Sequence, residues 1–250
     1  MRSLRITLEY DGTRFFGWQT QREKPTVQET VEEAIQRILG ERVTLHGSGR
    51  TDRGAHAAGQ TAHFTTLTSL PLDRIQAGLN AVLPADIAVT DIQDAEEGFH
   101  ARFLATSKSY RYHILNRPVR SPLRRDRTHH VPEPLDLDGM RKGASYLLGE
   151  HDFRAFQKEG GEKKSAVRRI LRIDIQRKDD EVTVEVEATG FLYTMVRAIV
   201  GCLIRVGHGR WEPEEIGEIL ESGDRQRVGP QTAPARGLYL LHVIYDDGVG

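Results

Sequence analysis

The chain has 250 residues, 38% of them hydrophobic and 28% charged, with a formal net charge of −1. That length allows one large domain or two intimately packed halves around a sizeable core, and the composition is that of an ordinary globular protein, which excludes a peptide scaffold, a disordered chain and a membrane bundle. So small a net charge creates no overall field toward a polyanion, and any nucleic-acid contact has to rest on local patches.

In chain order, Leu4, Ile6, Leu8 and Tyr10 alternate with polar residues and predict a half-buried strand, ended by the turn pair Asp11-Gly12. Val27, Val31, Ala34, Ile35, Ile38 and Leu39 then recur at helical spacing up to Gly40. Strands are predicted at 42–48, 57–65, 86–93 and 107–115, with a helix across 72–83 that stops before Pro84. The stretch 116–134, rich in Pro and Arg, reads as an internal linker. After it come a helix at 136–148 ending at Gly149, strands at 167–177 and 181–188 turning at Asp179-Asp180, and a helix at 191–205. A short helix at 213–221 and a strand at 238–245 close the chain. This α+β order fits two ferredoxin-like halves, 1–115 and 116–250, side by side in one continuous, mainly antiparallel sheet with flanking helices.

One cysteine, Cys202, rules out an intrachain disulfide and a multi-cysteine zinc site, and its neighbours Val200, Leu203 and Ile204 suit plain burial. No stretch approaches the roughly 20 apolar residues of a membrane span. Arg2, Arg5 and Glu9 interrupt the place of a secretory core, so the cytoplasm is the expected location. Arginines outnumber lysines 28 to 7, and Arg is the side chain that grips phosphate with two parallel hydrogen bonds.

The chemistry concentrates in Gly47-Ser48-Gly49-Arg50-Thr51-Asp52-Arg53-Gly54-Ala55-His56-Ala57, between two predicted strands. Glycines allow a tight turn and close approach to a ligand, and Arg50 and Arg53 flank Asp52 so as to hold it ionised, fit to act as nucleophile or base. On composition alone a turn-capping Asp52 with solvated arginines explains the run better. It is no phosphate-cradling P-loop, because the Gly-Lys-Ser/Thr ending is missing. His46, His56 and His63 lack the carboxylate pattern of a metal site, and no metal is expected.

The stretch Gly49 to Ala57 resembles the signature loop of the tRNA pseudouridine synthase A family. The resemblance extends to Tyr10-Asp11-Gly12-Thr13, Phe16-Gly17-Trp18-Gln19, Phe99-His100-Ala101-Arg102-Phe103 and Tyr110-Arg111-Tyr112. It continues through Gly149-Glu150-His151-Asp152-Phe153, Phe191 to Arg197 and Gly237-Leu238-Tyr239-Leu240, so it covers nearly the whole chain. Ala55 departs from the family's usual valine, and Thr194 stands where histidine is common; neither change removes a group needed for chemistry.

The resemblance implies an enzyme that breaks the bond between N1 of uracil and the ribose, turns the base and rejoins it through C5, with no cofactor, donor or metal. Asp52 would be the nucleophilic initiator, at the base or at the sugar. Arg197 would be its basic partner, which requires both halves to come together. Tyr110 would stack on the target base and its hydroxyl would assist removal of the C5 proton. A uridine inside a stem hides the reacting atoms, so it has to be flipped out, with Arg50 filling its place or holding its phosphate. Phe99, His100, Ala101, Arg102 and Phe103 match one RNA-contact segment, and Lys163, Lys164 and Arg168 resemble a second. The implied substrate is the anticodon stem-loop of tRNA at positions 38, 39 and 40, and the implied assembly is a homodimer. The arginines at 120, 124, 125 and 127 either extend the electrostatic track or form a solvated loop. Two other readings remain open: a non-catalytic RNA-binding module, and a glycosidic hydrolase pairing Asp52 with Glu9 or Glu185.

Overall fold

In the computed structural model, which describes residues 1–158 and 165–246, the elements run β1 (Arg2–Tyr10), α1 (Val27–Leu39), β2 (His46–Gly47), β3 (His56–Thr66), α2 (Leu72–Val82), β4 (Ile87–Asp94) and β5 (Ala105–Asn116). They continue as β6 (His129–Val131), α3 (Leu137–Ser145), β7 (Gly149–Asp152), β8 (Val167–Lys178), β9 (Glu181–Ala188), α4 (Met195–Gly207), α5 (Glu215–Ser222), α6 (Arg225–Val228) and β10 (Leu238–Tyr245). The class is α+β with mainly antiparallel pairing. By contacts the chain divides into one compact unit made of Met1–Thr106 with the chain from Tyr239 onward, and a second made of Ser107–Leu238. The division read from sequence, at 115/116, thus differs at both ends. The last strand returns to the first unit because β10 pairs in parallel with β3, Tyr239 opposite His56 and Leu240 opposite Ala57.

In the first unit β1 lies between β4 and β3, antiparallel to both, with β10 beyond β3. The alternation predicted for β1 is kept: Leu4, Ile6 and Leu8 are fully buried. Helix α1 adds Val27, Val31 and Ile35 to that core and α2 adds Ile75 and Leu79, each such side chain worth roughly 1.5–3 kcal/mol on leaving water. Helix α1 ends where Gly40 turns left-handed, φ 73°, as a C-terminal glycine does.

The strand predicted at 42–48 shrinks to His46–Gly47. Helix α1 side chains take the backbone groups a longer ladder would use: Leu45 N–H donates to Glu32 Oε1 (2.8 Å), and Gln28 Nε2 donates to Leu45 O (3.2 Å).

In the second unit β5, β9, β8 and β7 follow one another antiparallel. Two short strands escape the periodicity reading: β7 at the edge, and β6, which pairs in parallel with β5 inside the presumed linker. Val182, Val184, Val186 and Ala188 of β9 are fully buried. Helix α4 is buried almost all round, as an element inside a core must be. Its Val196, Ile199, Val200 and Leu203 therefore serve the unit's own core. Cys202 is buried there too, and burial pushes its thiol up to about 12.

Helix α3 is shorter than the predicted 136–148. Its tail tightens into i to i−3 bonds, with Leu147 N–H donating to Ala144 O (3.0 Å) and Leu148 N–H to Ser145 O (3.3 Å). Helix α4 begins at Met195 rather than 191, because Thr194 adopts φ 63°, a left-handed conformation that no right-handed helix can contain.

Candidate active site

Asp52 sits half-buried in the loop that leads into β3, and the loop is held by polar bonds from three directions. Ser48 Oγ donates to Gln60 Oε1 (2.7 Å), Gln60 Nε2 donates to Gly49 O (2.8 Å), and Ser48 N–H donates to Thr61 O (2.8 Å). Tyr10 and Thr51 share a buried hydroxyl–hydroxyl bond of 2.8 Å. The segment after β1 adds Trp18 N–H to Thr51 O (3.1 Å) and Gly54 N–H to Phe15 O (3.3 Å). Asp52 O itself accepts from Ala55 N–H (3.0 Å), closing a turn over Arg53 and Gly54. Contact with the 12–18 segment is so close that a Cβ on Gly12 would lie 1.8 Å from Ala55 O, so only glycine fits there. Each such bond contributes only about 0.5–1.5 kcal/mol net; together they leave the carboxylate of Asp52 on a rigid turn. Arg50 is exposed, and the Arg53 guanidinium stacks over the Phe16 ring at 4.2 Å.

The 99–103 segment, in the same unit, divides by burial. Ala101 is fully buried, its N–H donating to His63 Nδ1 (3.2 Å) and its C=O accepting from Tyr245 OH (2.7 Å). It anchors the segment and offers no surface to a ligand. Arg102 and Phe103 are exposed, the latter by 69%, and His100 packs against Phe103 at 4.3 Å. His46, His63 and His100 form one ring cluster, 5.1 Å and 4.7 Å between successive centroids. Burial, aided by the charges of His100 and His46, pushes His63 down to about 4. His56 stands apart from this cluster: its Nδ1 accepts from Gly12 N–H (3.1 Å) and its ring stacks on Tyr239 at 4.5 Å.

In the second unit Tyr110 is buried on β5, its ring edge-on to Phe191 at 4.9 Å. Two residues on and so on the same face, Tyr112 donates its hydroxyl to Pro234 O (2.7 Å). Arg197 lies in the first turn of α4, half-buried. Its Nε donates to Ala233 O (2.7 Å), and Ala233 N–H donates back to Arg197 O (3.0 Å). This 229–234 strap lies so near α4 that a Cβ on Gly201 would overlap Gln231 O at 1.3 Å. Arg168 turns back on its own strand, donating to Ser165 O (2.8 Å) and Val167 O (2.6 Å). Lys163 and Lys164 lie outside the described residues.

Linker arginines are occupied by acids: Arg117 pairs with Asp180 at 3.0 Å, Arg124 with Glu181, and Arg125 with Asp126 at 3.1 Å. Glu185 accepts from Arg111 (2.8 Å) and pairs with Arg172. Burial alone would raise its carboxyl, but the bonds and charges of Arg111 and Arg172 outweigh it and hold Glu185 below the usual range. A carboxylate so held is no proton donor, which removes the support for Glu185 as a general acid.

Asp52, Arg50 and the 99–103 segment thus belong to the first unit, and Tyr110, Arg168 and Arg197 to the second. Sequence reading missed the supports: Gln60, Ser48 and the Tyr10–Thr51 pair behind Asp52, and Ala233 behind Arg197. A signal for the first set was Gln60, a long polar residue within a strand buried at all but Ala58 and Thr65.

A family-wide profile described as tRNA pseudouridine synthase matches residues 6–104 and 144–246. The chain is 46% identical to the tRNA pseudouridine synthase A of Thermoanaerobacter sp. (strain X514), over 98% of this chain and 100% of that one. It is 47% identical to the tRNA pseudouridine synthase A of Acetivibrio thermocellus, with the same coverage. Among solved structures, the archaeal box H/ACA sRNP Nop10–Cbf5 complex aligns over 93% of this chain and 58% of that one, at 12% identity and a TM-score of 0.39. That last likeness is too loose to carry an argument.

Proposed function

The chain belongs to the tRNA pseudouridine synthase family, isomerases that convert uridine to pseudouridine in tRNA, and we propose that its targets are positions 38, 39 and 40 of the anticodon arm, with Asp52 as the reacting carboxylate. The observation that carries the assignment of Asp52 is its setting: an acid on a turn whose neighbours on both sides are bonded into the core, with exposed Arg50 two residues away. Such a turn keeps a reacting group in place without reorganisation during the reaction, which is where much of an enzyme's rate enhancement arises.

In this reading Asp52 initiates the break between N1 and the ribose, Tyr110 stacks on the target base, and Arg197 is the basic partner. Arg50 supports the flipped nucleotide through its phosphate. Exposed Arg102 and Phe103, with Phe99 and His100 behind them and Ala101 as their anchor, form one RNA contact; Arg168, Lys163 and Lys164 belong to the other. The protein acts in the cytoplasm as a homodimer; a monomeric mass across working concentrations would defeat the latter point. Among the described residues no helix is long and apolar enough to cross a membrane.

The test is tritium release from tRNA labelled at C5 of uridine. C5 loses its hydrogen only when the base is rejoined there. Release by the intact protein, absent in Asp52→Ala, with no free uracil and with modification mapped to 38–40, is the expected result. Full turnover by Asp52→Ala overturns the assignment of Asp52, free uracil points to hydrolysis, and modification confined to another arm overturns the site.

A further inference from the structure

At the start of α4, within the second unit, lies a cleft whose polar lining is Lys158, Tyr193, Thr194, Arg197, Arg225 and Thr232. Three cations share it, and among the described residues no carboxylate lines it. Cations that line one cleft together favour an anion there. Thr194 gives an independent sign. It is 7% exposed, and its Oγ1 has no hydrogen-bond partner. A buried hydroxyl without a partner calls for a ligand that would supply one. The residue also holds φ 63°, a strained conformation for a β-branched side chain of the kind that clusters at ligand sites.

The cleft is already organised. Thr194 caps a helix of 13 residues, whose N-terminus favours negative charge. Arg225 is held by Thr232 Oγ1 (3.1 Å) and Ala155 O (3.4 Å). Lys158 is exposed, and its backbone N–H is tied to Tyr193 O (3.2 Å). Tyr193, 47% exposed, offers a ring at the rim.

We propose that this cleft is a backbone-phosphate subsite, in which Lys158, Arg225 and the Thr194 hydroxyl hold one phosphodiester of the substrate RNA while Tyr193 packs on the adjoining nucleoside. The assignment rests on the reading of the chain as an enzyme acting on tRNA, since an RNA strand presents a phosphodiester beside every nucleoside. An arginine fork takes two phosphate oxygens at once, and the lysine adds a point charge.

The test uses the intact protein and Lys158→Gln, an exposed position whose replacement leaves the core alone; Arg225 is avoided because it also bonds Ala155 and Thr232. Binding of tRNA is measured from about 50 to 200 mM KCl, and the variant should lose about 0.7–0.9 from the slope of log affinity against log salt, the share of one phosphate. Its single-turnover rate at saturating tRNA should stay within about twofold, because a contact made equally before and during reaction changes binding rather than kcat. Neutral methylphosphonates are then placed one at a time along the RNA that the intact enzyme modifies. One position should weaken binding to the intact protein and have little further effect on Lys158→Gln.

An unchanged salt slope, or methylphosphonate effects that add to Lys158→Gln at every position, overturns the subsite. Inorganic phosphate provides the other arm. A thermal shift by phosphate that Lys158→Gln abolishes, together with an unchanged salt slope for tRNA, assigns the cleft to free phosphate instead. Failure of the intact protein to form pseudouridine in any tRNA sinks the functional reading, whereas normal turnover with an unchanged slope sinks the subsite alone.

Discussion

The loop that carries Asp52 and the helix that carries Arg197 solve the same problem by opposite means. The first is short, rich in glycine and held by hydrogen bonds from Gln60, Ser48, Tyr10 and Trp18. The second is held by burial, with Met195, Val196, Ala198 and Ile199 each at most 4% exposed, and its polar ties, such as those to Ala233 and from Asp136 N–H to Gly207 O, add to that packing. Hydrogen bonds are directional and individually weak in net energy, so they aim a group more than they stabilise the fold. Apolar burial is non-directional and supplies most of the stability. Damage to the first carrier should therefore misplace chemistry, and damage to the second should unfold the unit.

The largest expected effect is that of Asp52→Asn, which keeps size and removes charge. Turnover should fall by roughly 10³-fold or more with tRNA affinity and the urea midpoint almost unchanged; a variant that unfolds at markedly lower urea would show that Asp52 is part of the scaffold. Next comes Ile199→Ala in α4. It should cost about 2–5 kcal/mol of stability, read by urea unfolding, while kcat per folded molecule stays within about twofold. A large loss of kcat without loss of stability would contradict the division between aiming and stabilising.

Gln60→Leu tests the other side. The substitution strips both clamps from Ser48 and Gly49, so kcat should fall about tenfold for a stability loss of only about 1–3 kcal/mol. If stability collapses while kcat holds, the clamp serves the fold rather than the site.

The smallest effect concerns pH and matches one histidine in each unit. Burial pushes both His63 and His129 down to about 4, helped in the first case by His100 and His46 and in the second by Arg236 and His130. The unfolded chain takes up these protons near pH 6.5, whereas the folded protein does so only near pH 4. Stability is therefore full above pH 6.5 and lost progressively as pH falls toward 4. Between pH 6 and 5, His63→Gln should lower the slope of unfolding free energy against pH by about 1.4 kcal/mol per unit. An unchanged slope would mean that the imidazole of His63 is protonated in the folded protein.

Much of the fold follows from short-range pattern. The period-two alternation of Leu4, Ile6 and Leu8, the helical spacing of Val27 to Leu39 with Gly40 at its end, and the Asp179-Asp180 turn, where Asp179 takes φ 53°, are set by neighbours within a few residues. The loop from Gly49 to Ala57 stood out by its density of glycine and charge, and its resemblance to a family made it legible as a site where composition alone favoured a plain turn. Burial then separated residues that the pattern had grouped: Ala101 anchors what Arg102 and Phe103 present.

What sequence by itself determined is therefore the α+β class and the order of the longer elements, carried by local periodicity, and Asp52 as the centre of interest, carried by the resemblance of its loop to a family. Tertiary structure alone decided the rest. Gln28 and Glu32 take the backbone of Leu45 and shorten the strand there, Thr194 turns left-handed and starts α4 late, the 229–234 strap ties Arg197, and β10 returns to pair with β3. Apart from the turn at Thr194, each of these rests on partners well separated in the chain, and a hydrogen bond or a close backbone approach between distant segments leaves no periodic trace in the residues that make it.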